Sequence, residues 1–180
     1  MLLKNCESGE KAVYNTNLTV TRNEKTVSFK FVCENSKLFC AHKGYNKFHC
    51  DGDVCEIFIG SDNERKSYYE IELSPANDLL LGKITFLGWN AEENKPILEL
   101  KYIDDCFVKS TVKPIENGYE ATITINTDDV KTGEGKIFFN AFRIETDGGE
   151  TEKHLFALSP TMRRKFHVPE KFVYLDDLVD

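Results

Sequence analysis

No stretch of this chain approaches the roughly 18 consecutive apolar residues of a membrane-spanning helix. Its opening, Met-Leu-Leu-Lys-Asn-Cys-Glu-Ser, also lacks the apolar run of about 7–15 residues that a secretory signal requires. A cytoplasmic location with no membrane partner is the expectation. Positive charge is sparse as well: 23 Lys and Arg are scattered among 30 Asp and Glu, for a formal net charge of −7. Such a surface repels a polyphosphate, so nucleic acid is not an expected partner. None of the six cysteines, Cys6, Cys33, Cys40, Cys50, Cys55 and Cys106, stands in a Cys-x-x-Cys pair, which removes the zinc-ribbon and thioredoxin signatures. His42 and His49 lie near four of them, but the spacings match no common metal pattern, and reduced thiols, in part buried, are the reading. Equally missing are a Gly-x-Ser-x-Gly elbow, a His-Glu-x-x-His pair and a Gly-x-x-x-x-Gly-Lys phosphate cradle, so no hydrolase, metalloprotease or nucleotide-binding motif is present.

What the chain does have is alternation. Over residues 26–33, Val27, Phe29, Phe31 and Cys33 fall on one side while Ser28 and Lys30 fall on the other, the period of a half-buried strand. The same period returns over 54–59 and 68–73. Further strands are predicted over 12–20, 79–87, 97–102, 107–112, 119–125, 136–144, 154–158 and 172–175. Between them stand turn sequences such as Asp51-Gly52, Glu116-Asn117-Gly118 and Asp147-Gly148-Gly149. Many short strands at regular intervals, with a single helical turn at most near 126–131, predict an all-β fold: a two-sheet antiparallel β-sandwich, jelly-roll-like, forming one domain over residues 1–180.

Some polar residues sit oddly for a strand whose only task is solubility. Glu56 points away from the core side of an otherwise apolar segment, beside Phe58. Asn140 and Arg143 stand in Phe138-Phe139-Asn140-Ala141-Phe142-Arg143, where an amide and a guanidinium supply the donors and acceptor that adjacent hydroxyls need. Glu70 and Glu72 are candidates to converge on Glu56. An enzyme using Glu56 with Glu70 or His154 as acid and base is one alternative. A sheet face that binds another protein is a second.

Four segments carry a family resemblance. Asp53-Val54-Cys55-Glu56-Ile57-Phe58-Ile59, Tyr68-Tyr69-Glu70-Ile71-Glu72-Leu73-Ser74-Pro75, Phe139-Asn140-Ala141-Phe142-Arg143 and Phe166-His167-Val168-Pro169-Glu170-Lys171-Phe172 resemble, in order and spacing, the strands and closing segment of family 9 carbohydrate-binding modules. The resemblance spans roughly residues 10–177. It implies a sandwich related to the DOMON-like modules and a non-catalytic role in holding the ends of β-glucan or xylan chains, commonly as an appendage of a xylanase. It implies structural calcium too, for which Asp51 and Asp53 or Asp104 and Asp105 are the candidate loops; no other cofactor is expected. On this resemblance Glu56, Asn140, Arg143 and His154 match ligand-contacting positions, and Lys83 stands where a ligand-binding arginine is found. The paired tryptophans that clamp a sugar ring in that family are missing: their places fall at Cys50 and Leu158. At about 25 cal/mol per Å² of apolar surface, each lost ring face costs about 2 kcal/mol, and the two together more than about a hundredfold in affinity. Tyr45, Phe48, Trp89 and Phe156 are the aromatics available to rebuild a platform.

Overall fold

A computed structural model describes residues 1–35, 37–150 and 152–178. The strands are β1 (Lys4–Asn5), β2 (Thr16–Arg22), β3 (Thr26–Glu34), β4 (Val54–Gly60), β5 (Ser67–Leu73), β6 (Leu79–Asn90), β7 (Lys95–Tyr102), β8 (Lys109–Ile115), β9 (Gly118–Asn126), β10 (Phe138–Glu145), β11 (His154–Ala157) and β12 (Val173–Tyr174). They form two antiparallel sheets, a β-sandwich. The larger runs β1-β11-β10-β4-β5-β6-β7, with β12 also paired to β10; the smaller runs β2-β3-β9-β8. Residues 127–130, where a helical turn was a prospect, form a hydrogen-bonded turn instead, with Asn126 Oδ1 accepting from the Asp128 amide.

The alternation over β3 places Val27, Phe29, Phe31 and Cys33 between the sheets, all fully buried. Register with β9 sets them opposite Ile125, Ile123, Ala121 and Tyr119. From the larger sheet Cys55, Ile57 and Ile59 of β4, Ile71 and Leu73 of β5, and Phe139 and Ala141 of β10 close the same core. Removing each such large side chain from water stabilises the fold by about 1.5–3 kcal/mol. The β8–β9 hairpin needs glycine where it closes: Gly118 has φ +148°, and a Cβ there would lie 1.9 Å from the Cys33 carbonyl oxygen.

A half-solvated larger sheet is what alternation alone suggests, yet every residue of β4 and β10 is buried. Its outer face carries Phe58, Tyr68, Ile84, Phe138 and Phe142, a second apolar cluster completed by Phe166 and Phe172. These two come from the closing segment, which lies over the sheet without being part of it. Phe166 stacks on Phe142 with centroids 4.2 Å apart, and Phe172 stands edge-on to Tyr68 at 5.2 Å. Arg65 fastens the segment by donating from Nη1 to the Phe172 carbonyl at 2.6 Å.

Candidate functional site

The outer face of the larger sheet holds a group of acids that follows from register. β4 and β5 pair Glu56 with Glu72, and Phe58 with Glu70. Alternation puts all four on the outer side, because Ile57 and Ile71 are paired on the inner one. Carboxylate oxygens of Glu56, Glu70 and Glu72 come within 4.8 Å of one another. Glu56 is 1% exposed and Glu72 2%. Glu72 Oε2 accepts from the Cys50 amide at 3.0 Å, whereas Glu56 Oε1 is buried without a hydrogen-bond partner.

Burial and mutual repulsion resist the charged forms. Burial, then Glu72 and Glu70, pushes Glu56 well above the carboxylate range, with Lys153 opposing. Burial and the neighbouring Glu72 push Glu70 up to about 8. Burial raises Glu72 to about 7 against the donors Cys50 and His49.

A cleft of about 410 Å³ opens above this floor, walled by Phe58, Ile144, Leu155, Phe166 and His167, with Cys50, Lys153, Arg164 and Lys165 also lining it. The His167 ring stacks on Phe58 with centroids 4.7 Å apart. Its Nδ1 meets the Tyr68 hydroxyl at 2.9 Å, and its Nε2 lies 3.9 Å from Glu70 Oε1. Burial pulls this imidazole down to about 4, so it is neutral near pH 7. Across the sheet from Glu70, Gly82 of β6 has no side chain of its own and Leu100 Cδ1 fills the place a Cβ would take; beyond it stands Tyr102 of β7. Tyr102 and Phe48 are exposed, 37% and 52%, and meet edge to face at 6.1 Å.

The residues singled out from sequence divide sharply. Glu56 lies under the floor of the cleft and Cys50 beside it. Arg143 does not reach it: pairing with Cys55 turns Arg143 to the inner face. There it donates to Thr16 Oγ1 and the Glu34 carbonyl, both at 2.9 Å, and pairs with Glu145. Its guanidinium sits between the Tyr119 and Phe156 rings; this is a core arginine. Asn140 is on the outer face but is consumed by the backbone just after β11, with Nδ2 donating to the Ser159 carbonyl and Oδ1 accepting from the Ser159 amide. Lys83 pairs with Tyr69, which packs into the inter-sheet core, so it too faces away from the acids. His154 stands edge-on to Tyr14 at the inner side, paired with Glu145, and Leu158 packs into the inner core. Trp89 lies past a bulge between Phe86 and Gly88, under the Arg163 guanidinium at 4.4 Å. Tyr45 donates its hydroxyl to the Ile103 carbonyl at 2.6 Å. Neither Trp89 nor Tyr45 lines the cleft.

His167, Lys153 and Tyr102 were not singled out from sequence. The alternation of 97–102 contained the signal for Tyr102, while His167 and Lys153 lie on irregular backbone that no period reports.

No protein-family model matches the sequence, and no curated protein matches it. Solved structures do share its fold. A candidate carbohydrate-binding protein from Bacteroides uniformis superposes with a TM-score of 0.66 at 14% identity, over 88% of this chain and 76% of that one. A family 9 carbohydrate-binding module from Caldicellulosiruptor kristjanssonii in complex with glucose gives 0.55 at 13% identity, over 95% and 81%. The module from the same organism in complex with cellotriose gives 0.52 at 12% identity, over 87% and 71%. The architecture that these structures share with the chain is a two-sheet antiparallel β-sandwich.

Proposed function

We propose that this chain is a non-catalytic carbohydrate-binding domain whose ligand lies on the outer face of the larger sheet, over Glu70 and against Tyr102 and Phe48. The observation that carries this reading is the exposed Tyr102 ring two strands from Glu70 on the same outer face, met edge to face by the exposed Phe48 ring from the loop before β4. A pyranose has an apolar face suited to such rings and edge hydroxyls that donate to a carboxylate. The fold shared with modules crystallised with glucose and cellotriose supports the choice of ligand, and the glucose-type ends of β-linked chains are the first to try.

Hydrolysis is the weaker reading. A glycosidase sets two carboxyls on opposite sides of the scissile bond, about 5–9.5 Å apart. Here the acids are neighbours on adjacent strands of one face, and two of them are almost wholly covered.

Isothermal titration with glucose, cellobiose and xylobiose tests the proposal. Binding at millimolar affinity or better is expected. Tyr102→Ala should weaken it more than about tenfold, the worth of about 2 kcal/mol of ring-face burial. Flat heats up to tens of millimolar sugar, or an unaffected Tyr102→Ala variant, would reject it.

A further inference from the structure

Three carboxyls on one buried patch need more compensation than their visible neighbours supply. Lys153 is the cation that opposes the charge on Glu56. Its ammonium, however, is spent on the Cys50 carbonyl at 2.7 Å and lies 3.7 Å from Asp51. The other charged or titratable groups bordering the patch are Arg164, Lys165, His167 and Cys50, with Tyr102 beyond Gly82. Arg164 is paired with Glu7 and with the Lys153 carbonyl. Independently of the acids' clustering, Glu56 Oε1 is an acceptor that is fully buried and meets no donor, an arrangement that native interiors avoid.

Size decides what can satisfy it. Glu56 and Glu72 are 1% and 2% exposed, so Glu70, the most open of the three, is the carboxylate that a sugar hydroxyl in the cleft meets first. A bare ion is smaller than a sugar. Calcium takes oxygen ligands at about 2.3–2.6 Å, which allows any two of them to be up to about 4.6–5.2 Å apart; magnesium, at about 2.0–2.1 Å, allows only about 4.2 Å. The three carboxylates fall within 4.8 Å of one another. All the ligand atoms are oxygens, the set preferred by calcium, manganese and magnesium over zinc or copper. Charge agrees, since a doubly charged ion offsets most of the charge that three ionised carboxylates would carry. Neither candidate loop, at Asp51 and Asp53 or at Asp104 and Asp105, forms such a group among the described residues. Asp53 is occupied by the Phe39 amide and by the amide and hydroxyl of Thr146.

We propose that Glu56, Glu70 and Glu72 hold a divalent cation of the calcium or manganese kind beneath the cleft. The site does not depend on the sugar reading, and it is measured without sugar.

The test uses the full chain, stripped with EDTA and titrated calorimetrically with calcium chloride and with manganese chloride. One equivalent is expected, with a dissociation constant below about a millimolar, the weak end of protein calcium sites. The Glu56→Gln/Glu72→Gln variant keeps side-chain shape while removing two charges, and it should lose at least tenfold in affinity. Asp104→Asn/Asp105→Asn should lose none. In the unaltered chain, manganese should broaden the NMR signals of Tyr68 and His167, which border the acids, most strongly, and those of Lys30, on the far face of the smaller sheet, least. That readout needs no variant to fold. Flat heats with both ions to about 10 mM, unchanged affinity in the double variant, or broadening centred away from Tyr68 and His167 would each overturn the proposal.

Discussion

A carboxyl buried among other carboxyls ties stability to pH, and Glu70 is where the effect is easiest to isolate. Facing it are Glu56 and Glu72 from the sheet and His167 from the closing segment, with Lys153 beyond Glu56. Its pKa rises on folding from about 4.5 to about 8. The folded state therefore binds the extra proton, and the stability this contributes is present below pH 4.5 and lost as pH rises to 8. His167 acts in the opposite sense: lowered from 6.5 to about 4, it contributes stability above pH 6.5 that is lost as pH falls. Between pH 6.5 and 8 the acids act alone. In EDTA, the urea midpoint should fall across that window, and Glu70→Gln should flatten the slope; a midpoint that rises from pH 6.5 to 8 would refute the burial argument. Much of this was legible from alternation, which puts Glu56, Glu70 and Glu72 on one face. Alternation also forbids a common face for Asn140 and Arg143, because residues three apart on a regular strand point opposite ways. What it does not report is that Arg143 finds Glu145, two residues on and on the same face, and so becomes a core ion pair.

At the scale of elements, the strands were readable and their covering was not. Predicted strands over 26–33, 54–59, 68–73 and 119–125 match β3, β4, β5 and β9 to within a residue or two. The strand foreseen over 12–20 begins only at Thr16, and β1, two residues long, carries no period to detect. The outer face of β4 and β10 looked solvated because the Phe166–Phe172 segment that covers it is irregular and more than 20 residues away in sequence. Asn140 holds to the sheet the chain that leads into this segment, through both polar groups of the Ser159 backbone just after β11. Asn140→Ala leaves that amide and carbonyl without partners, at a cost of about 1–3 kcal/mol. The loss falls on the chain from Ser159 into the segment and spares the sandwich. Amide exchange at Phe172, whose N–H is bonded only within the segment to Pro169, should therefore accelerate about tenfold or more, while amides of β3 and β9 keep their rates. Uniform acceleration throughout would show that the segment and the sheets open as one unit.

For the molecule as a whole, this hierarchy of opening can be read from its thiols, since the cysteines sample every layer. Cys106 is exposed, and Cys40 and Cys50 are half-buried. Cys6 is fully buried, with its Sγ 3.1 Å from Thr161 Oγ1 and 3.6 Å from the Arg163 carbonyl, so the start of the closing region is its lid. Cys33 and Cys55 face each other across the two sheets, fully buried beside Tyr119. A thiol reagent reaches Cys33 or Cys55 only if the sheets part, which is global unfolding, but it reaches Cys6 when the closing region alone lifts. Under native conditions a disulfide reagent should label Cys106 fastest, Cys40 and Cys50 next, then Cys6, and Cys33 and Cys55 last, at the rate set by global stability. In Asn140→Ala, Cys6 should move toward the middle class while Cys33 and Cys55 keep their rate relative to the global unfolding equilibrium of the same variant. If Cys6 instead labels in step with Cys33 in both proteins, the lid has no separate motion. The cleft that it walls would then be as rigid as the core beneath it.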